Sequence, residues 1–171
     1  SRNQARPASV LVKAQAVACW RPSGGAQLPG VHTLPLTILG DLMDLVTLDF
    51  ETYFDAKYSL RNQKMNMSEY IRDDRFRAHM CGIKINTEPT FVVGYEDIPK
   101  ALKSIKWNKT ELLAHNTAFD GLILQHHYNV VPAVYRDTLC MARALHSNEI
   151  GAGLDEVAKL YGVGNKLQDV L

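Results

Sequence analysis

Asp49 and Glu51, separated by one residue in Leu-Asp-Phe-Glu-Thr, are the first place where this sequence sets chemistry-bearing groups side by side. They follow Leu45-Val46-Thr47-Leu48, a short apolar and β-branched run that reads as a strand ending at Asp49. Side chains alternate along a strand, so both carboxylates point to one face and Phe50 to the other, toward a core. Two carboxylates held together are costly without a positive charge between them, and a hard divalent cation such as Mg²⁺ or Mn²⁺ takes oxygen ligands. Acids make up 18 of the 171 residues, so an acid-x-acid pair also arises by chance, and a solvated strand end accounts for it equally.

The second string is Leu112-Leu113-Ala114-His115-Asn116-Thr117-Ala118-Phe119-Asp120. A strand over Glu111 to Ala114 leads into a turn, and Asp120 falls in the first turn of the next helix, where the dipole and free amides favour negative charge. A capping acid accounts for Asp120 alone, but less readily for the whole His-Asn-x-x-Phe-Asp string. Other residues carry weaker signals. His126-His127 lacks partners at metal-ligand spacing and reads as a helix-end pair rather than a ligand pair. His115 reads either as a substrate neighbour or as a structural hydrogen-bonding residue. Asp137 reads as an N-cap for Thr138 onward, and Gly162-Val163-Gly164 as a helix stop rather than a phosphate loop.

Positioning these groups requires alternating strands and helices. A helix is expected from Ser68 to Arg72, and strands over His79 to Ile85 and Thr90 to Gly94 around the turn Asn86-Thr87-Glu88-Pro89. Asp97 is expected to cap a helix to about Ile105, with Ile98, Ala101, Leu102 and Ile105 at helical spacing. Asn116 stands where an N-cap belongs, and Phe119, Leu122, Ile123 and His126 carry a helix to about Tyr128. A strand over Val130 to Tyr135, interrupted by Pro132, and helices over Thr138 to Leu145 and Leu154 to Leu160 complete the pattern. Three early strands followed by alternating helix and strand predict an α/β domain with a mixed sheet.

Composition fits one globular domain: 46% of residues are hydrophobic and 22% charged. A net charge of +1 excludes a broad electrostatic clamp, so any nucleic acid would be handled at a local site. Cys19, Cys81 and Cys140 are scattered, without zinc spacing, and are expected as reduced, buried thiols of a cytosolic protein. No apolar run approaches the length of a membrane span. Residues 1–42 differ from the rest: they hold four of the seven prolines and four bases against one acid, whereas 43–171 hold 15 bases and 17 acids. They read as a poorly structured leader rather than a signal segment, since Lys13 interrupts the apolar run from Val10 to Cys19. Met43 is the expected native start of a domain covering 43–171.

Over about residues 44–171 the motifs resemble the DEDD superfamily of 3′→5′ exonucleases. Asp49-x-Glu51 looks like its first motif and Asn116-x-x-Phe119-Asp120 like its second, with a flavour similar to the proofreading exonuclease domain of phage-type family A DNA polymerases. Tyr70-Ile71-Arg72-Asp73-Asp74-Arg75-Phe76, Asp137-Thr138 and Leu154-Asp155-Glu156-Val157-Ala158 support the likeness. The resemblance implies a ribonuclease H-like fold and two-metal hydrolysis of phosphodiester bonds. Asp49 would bridge two Mg²⁺ or Mn²⁺ ions, Glu51 would hold the first and Asp120 the second. Thr52, Asn116 and Phe119 would lie against the terminal nucleotide; Phe119 is either a stacking surface or a core residue of the helix stripe. The implied partner is a single-stranded or frayed 3′ end of DNA, with RNA open, and a covalently linked polymerase domain is a further implication. The implied setting is a bacterial or phage-infected cytoplasm.

The family's third motif, Tyr-x-x-x-Asp or His-x-x-x-Asp, has no match after Asp137: Gly151 precedes Asp155 by four residues, and Asn165 precedes Asp169. The exonuclease domain is therefore expected to be C-terminally truncated here, with the activity of this stretch alone in question. Two other readings stay open: a stand-alone DEDD exonuclease acting on RNA or DNA, and a non-catalytic ribonuclease H-like module that only binds nucleic acid.

Overall fold

A computed structural model of the chain describes residues 43–60, 65–146 and 150–163. The leader expected over 1–42 lies outside them, as do Cys19, Asn165 and Asp169. Five strands form one mixed sheet: β1 (Asp44–Thr52), β2 (Ala78–Ile85), β3 (Phe91–Gly94), β4 (Thr110–Ala114) and β5 (Val134–Asp137). Their order is β3-β2-β1-β4-β5; β2 runs antiparallel to β1 and β3, whereas β4 is parallel to β1 and β5. The helices are α1 (Met67–Arg72), α2 (Ile98–Lys103), α3 (Thr117–Tyr128), α4 (Thr138–His146) and α5 (Leu154–Leu160). This is the α/β, ribonuclease H-like arrangement that the motifs imply.

The central strand β1 is held on both edges, which explains its composition. Val46, Leu48 and Phe50 enter the main core with Cys81 and Ile83 of β2, Leu112 of β4, Ile98 and Leu102 of α2, and Ile123 and Leu124 of α3. Burying each such side chain contributes about 1.5–3 kcal/mol. The strand does not end at Asp49 as expected. Pairing with β2 continues through Phe50 opposite Cys81 and Glu51 opposite Met80 to Thr52 opposite Ala78, and keeps those residues extended. Between Glu51 and Thr52 the register slips. Such bulges sharpen the local twist and re-aim the side chains beside them.

Turn chemistry sets the remaining boundaries. Asn86, with φ 50°, closes β2 in the left-handed region. Its side chain accepts the Leu45 N–H and donates to Asp44, tying the end of β2 to the start of β1. Helix α1 begins earlier than expected because Asn66 and Glu69 form a reciprocal capping box. Asp97 occupies the N-cap position of α2 without a side-chain bond, contrary to expectation; Pro99 in the first turn suits the start, where its missing N–H costs no helical bond. Asn129, also left-handed, ends α3. The stretch expected as a strand from Val130 becomes irregular through Pro132, which has no N–H for a ladder, and β5 begins only at Val134.

Candidate active site

The expected pair stands on β1: Asp49 and Glu51 share a face, half-buried, while Phe50 turns into the core and stacks on Tyr128 with ring centroids 5.8 Å apart. The ladder between β1 and β4 ends where Thr47 faces Leu113. Beyond it β1 continues alone on that side, and the Phe50 N–H donates to Asp120 Oδ1 at 3.1 Å. Asp120 is only 3% exposed, in the first turn of α3. The helix thus delivers a buried carboxylate onto the β1 residue that separates the other two. Cys81, paired opposite Phe50, reports the same convergence. Its thiol is pushed well up, first by burial and then by the negative charges of Asp120 and Asp49.

A second carboxylate holds the helix that carries the first. Asp137, at the end of β5, accepts N–H bonds from Asn116 and Thr117 at the start of α3, both at 3.1 Å. It also accepts from Leu139 at 2.8 Å and Cys140 at 3.3 Å, at the start of α4. The sequence reading anticipated the α4 cap; the α3 cap is additional. Asn116, expected as the cap of α3, has φ 76° and makes no side-chain cap bond. Thr117 Oγ1 reaches the carbonyls of Ala114 and Arg136, and Thr138 Oγ1 donates to Ala114. His115 Nδ1 lies 3.0 Å from the same Thr138 hydroxyl. The two strand-to-helix turns are therefore one bonded unit. Gly121, next to Asp120, lets β5 approach: a Cβ there would stand 3.0 Å from the Tyr135 ring.

Thr52 and Phe119, each a chain neighbour of one of the carboxylates, meet in a cavity of about 160 Å³ completed by Phe54, Ser59, Leu60 and Tyr70. Phe54 is 61% exposed at its rim. Behind it Tyr58 stacks on Tyr70 at 4.4 Å and carries the Arg75 guanidinium 4.7 Å above its own ring. Arg75 in turn pairs with Asp73 and holds that carboxyl down at about 2. Asn116 is exposed and does not line this cavity. Phe54, Ser59 and Leu60 were not anticipated from sequence; they lie in a loop with no period, and only its folding back onto α1 assembles them.

The remaining candidates resolve structurally. His127 donates to the Ile71 carbonyl at 2.7 Å and stacks on Phe76, and burial lowers its pKa. Cys81 is buried as expected, whereas Cys140 is exposed because it lies on the outer side of α4. Carboxylate oxygens are the donors a hard cation takes, and here two stand on one strand face with the third bonded to the residue between them. No group of three or more His, Cys, Asp or Glu side chains among the described residues is gathered tightly enough to hold a metal ion. No helix among the described residues is long and apolar enough to cross a membrane.

Neither a protein-family model nor a curated protein matches the sequence. Among solved structures, NrnC of Brucella melitensis is similar in fold, with a TM-score of 0.55 at 19% identity over 75% of this chain. The chain spans 57% of the length of that protein. At this identity the likeness shows the fold.

Proposed function

We propose that the chain carries the metal-dependent catalytic face of a 3′→5′ exonuclease that hydrolyses phosphodiester bonds at nucleic-acid 3′ ends. The observation that carries the reading is the delivery of buried Asp120 onto the Phe50 N–H, between Asp49 and Glu51. Motif order in the sequence and the ribonuclease H-like sheet support it. Asp49, Glu51 and Asp120 would hold Mg²⁺ or Mn²⁺, which supplies charge neutralisation and an activated water when bound. The protein's own part is positioning: β1 fixes two carboxylates, and the doubly capped α3 start fixes the third. Thr52 and Phe119 would receive the terminal nucleotide in the cavity they line, with Asn116 at its approach. Within this reading, the finer proposal is proofreading of DNA 3′ ends beside a polymerase domain.

A second reading, a module that binds nucleic acid without cleaving it, is favoured by one observation: no ready-made cluster of three metal-binding side chains occurs among the described residues. Single-stranded oligonucleotides labelled at the 5′ end separate the two. The exonuclease reading predicts a ladder shortened from the 3′ end in Mn²⁺ and none in EDTA. Intact oligonucleotide that is nevertheless retained by the protein establishes the binding module.

A further inference from the structure

The aromatic cavity beside Glu51 contains a hydrogen-bond chain with a fixed direction. Tyr70 is 3% exposed and its hydroxyl has one proton, which it donates to the Tyr53 carbonyl. A carbonyl oxygen only accepts, so that proton is committed. In the 2.8 Å contact between Thr52 Oγ1 and the Tyr70 hydroxyl, Thr52 must therefore be the donor. Thr52 also has a single proton. Once it is given to Tyr70, Thr52 meets anything in the cavity only as an acceptor.

Tyr70 is well fixed for this task. Its helix starts with a complete capping box, its ring lies 4.4 Å from that of Tyr58, and the Tyr58 hydroxyl donates to the Tyr70 carbonyl at 2.6 Å. Phe76 meets the same ring edge-on, and Phe119 lies 6.2 Å from it. Phe54, Leu60 and Phe119 supply apolar and π surface to the cavity, Thr52 and Ser59 bring hydroxyls to it, and Tyr70 stands in its wall with its hydroxyl between the Tyr53 carbonyl and Thr52. The site is thus shaped for a flat group with an adjoining polar one.

We propose that Tyr70 is a positioning residue that fixes Thr52 as a hydrogen-bond acceptor, so that the cavity selects a terminal nucleotide by donation from one of its sugar hydroxyls. The proposal rests on the exonuclease reading for the identity of its ligand. Thr52 contacts the nucleotide; Tyr70 acts only through Thr52. A base alone is bound by stacking, whereas an end lacking the sugar hydroxyl leaves the Thr52 acceptor without a donor from the ligand.

The test uses the full chain and short 5′-fluorescein-labelled single-stranded oligonucleotides, with Ca²⁺ as the cation and anisotropy as the readout. Three ends are compared: 2′-deoxy with a 3′-hydroxyl, 2′,3′-dideoxy, and 3′-deoxy with only a 2′-hydroxyl. The hydroxyl arm that binds more tightly identifies which hydroxyl donates. The unaltered chain should bind one hydroxyl-bearing end about three- to tenfold more tightly than the dideoxy end, the value of one net hydrogen bond. Tyr70→Phe keeps the ring stack but releases the Thr52 proton, so Thr52 is no longer held as an acceptor and that ratio should fall toward one, leaving dideoxy-end affinity unchanged. Thr52→Ser should keep the ratio. A ratio unaffected by Tyr70→Phe, or no discrimination by the unaltered chain, overturns the proposal while leaving the exonuclease reading in place. Failure of the unaltered chain to bind any of the three ends removes the exonuclease reading, and this inference with it.

Discussion

Replacing Asp137 by alanine should destabilise the protein through both helices whose starts it caps. One carboxylate serves four amides: Oδ1 takes those of Asn116, Leu139 and Cys140, and Oδ2 that of Thr117. Asn116 and Cys140 are exposed and recover much of their loss from water, whereas Thr117 is buried and Leu139 half-buried. Loss of a single cap costs about 1 kcal/mol, with a range of roughly 0.5–2 kcal/mol. Two caps therefore imply about 2 kcal/mol for Asp137→Ala, or a fall of about 4–8 °C in melting temperature for a chain of this size. Asp137→Asn keeps one acceptor oxygen and should lose roughly half as much. Far-UV circular dichroism melts of the three proteins, without divalent cation, measure this directly. A melting temperature for Asp137→Ala within about 1 °C of the parent would show that the shared cap does not hold α3 and α4 in place.

Two further perturbations follow from the same geometry. Asp120→Asn retains an acceptor for the Phe50 N–H while removing a buried charge from beside Asp49, so without divalent cation its melting temperature should equal or exceed the parent's. Its response to Mn²⁺ should vanish; a large loss of stability without cation would instead mark Asp120 as a purely structural acceptor. His127 has its pKa lowered from the ordinary 6.5, first by burial, so the folded state prefers the neutral ring. As pH falls below 6.5 the unfolded chain takes up the proton first, and the stability present above that pH is lost through the lowered value. His127→Gln should flatten the slope of stability against pH in that window, measured by urea unfolding; an equal slope in both proteins contradicts this.

The sequence was most legible where a local period coincided with a tertiary role. Alternation along β1 assigned Asp49 and Glu51 to one face and Phe50 to the core, and the structure has them so. The length of β1 was not legible, because Phe50, Glu51 and Thr52 stay extended through pairing with β2, some thirty residues away in the chain. Asn116 has the side chain of a cap and the position of one, but it lies in the left-handed region without a side-chain cap bond, and the capping carboxylate comes from Asp137, which accepts the amides of Asn116 and Thr117. The same competition decided Val130 to Pro132: Asn129 closes α3, and the Val130 N–H returns to Leu124 rather than to a neighbouring strand. Motif spacing marked Thr52 and Phe119, but the cavity walls from Phe54, Leu60 and Tyr70 come from segments that meet only in the fold.

If Asp49, Glu51 and Asp120 form a cation site, metal binding must be linked to the stability of the fold. The melting temperature of the full chain is measured across an Mn²⁺ titration beside that of Asp49→Ala. At a concentration of about 100 times the dissociation constant, binding to the folded state alone adds about 2.7 kcal/mol, or roughly 5–10 °C here. That rise is expected in the parent and none in Asp49→Ala. An unchanged melting curve for the parent at saturating Mn²⁺, or an equal rise in Asp49→Ala, would contradict it.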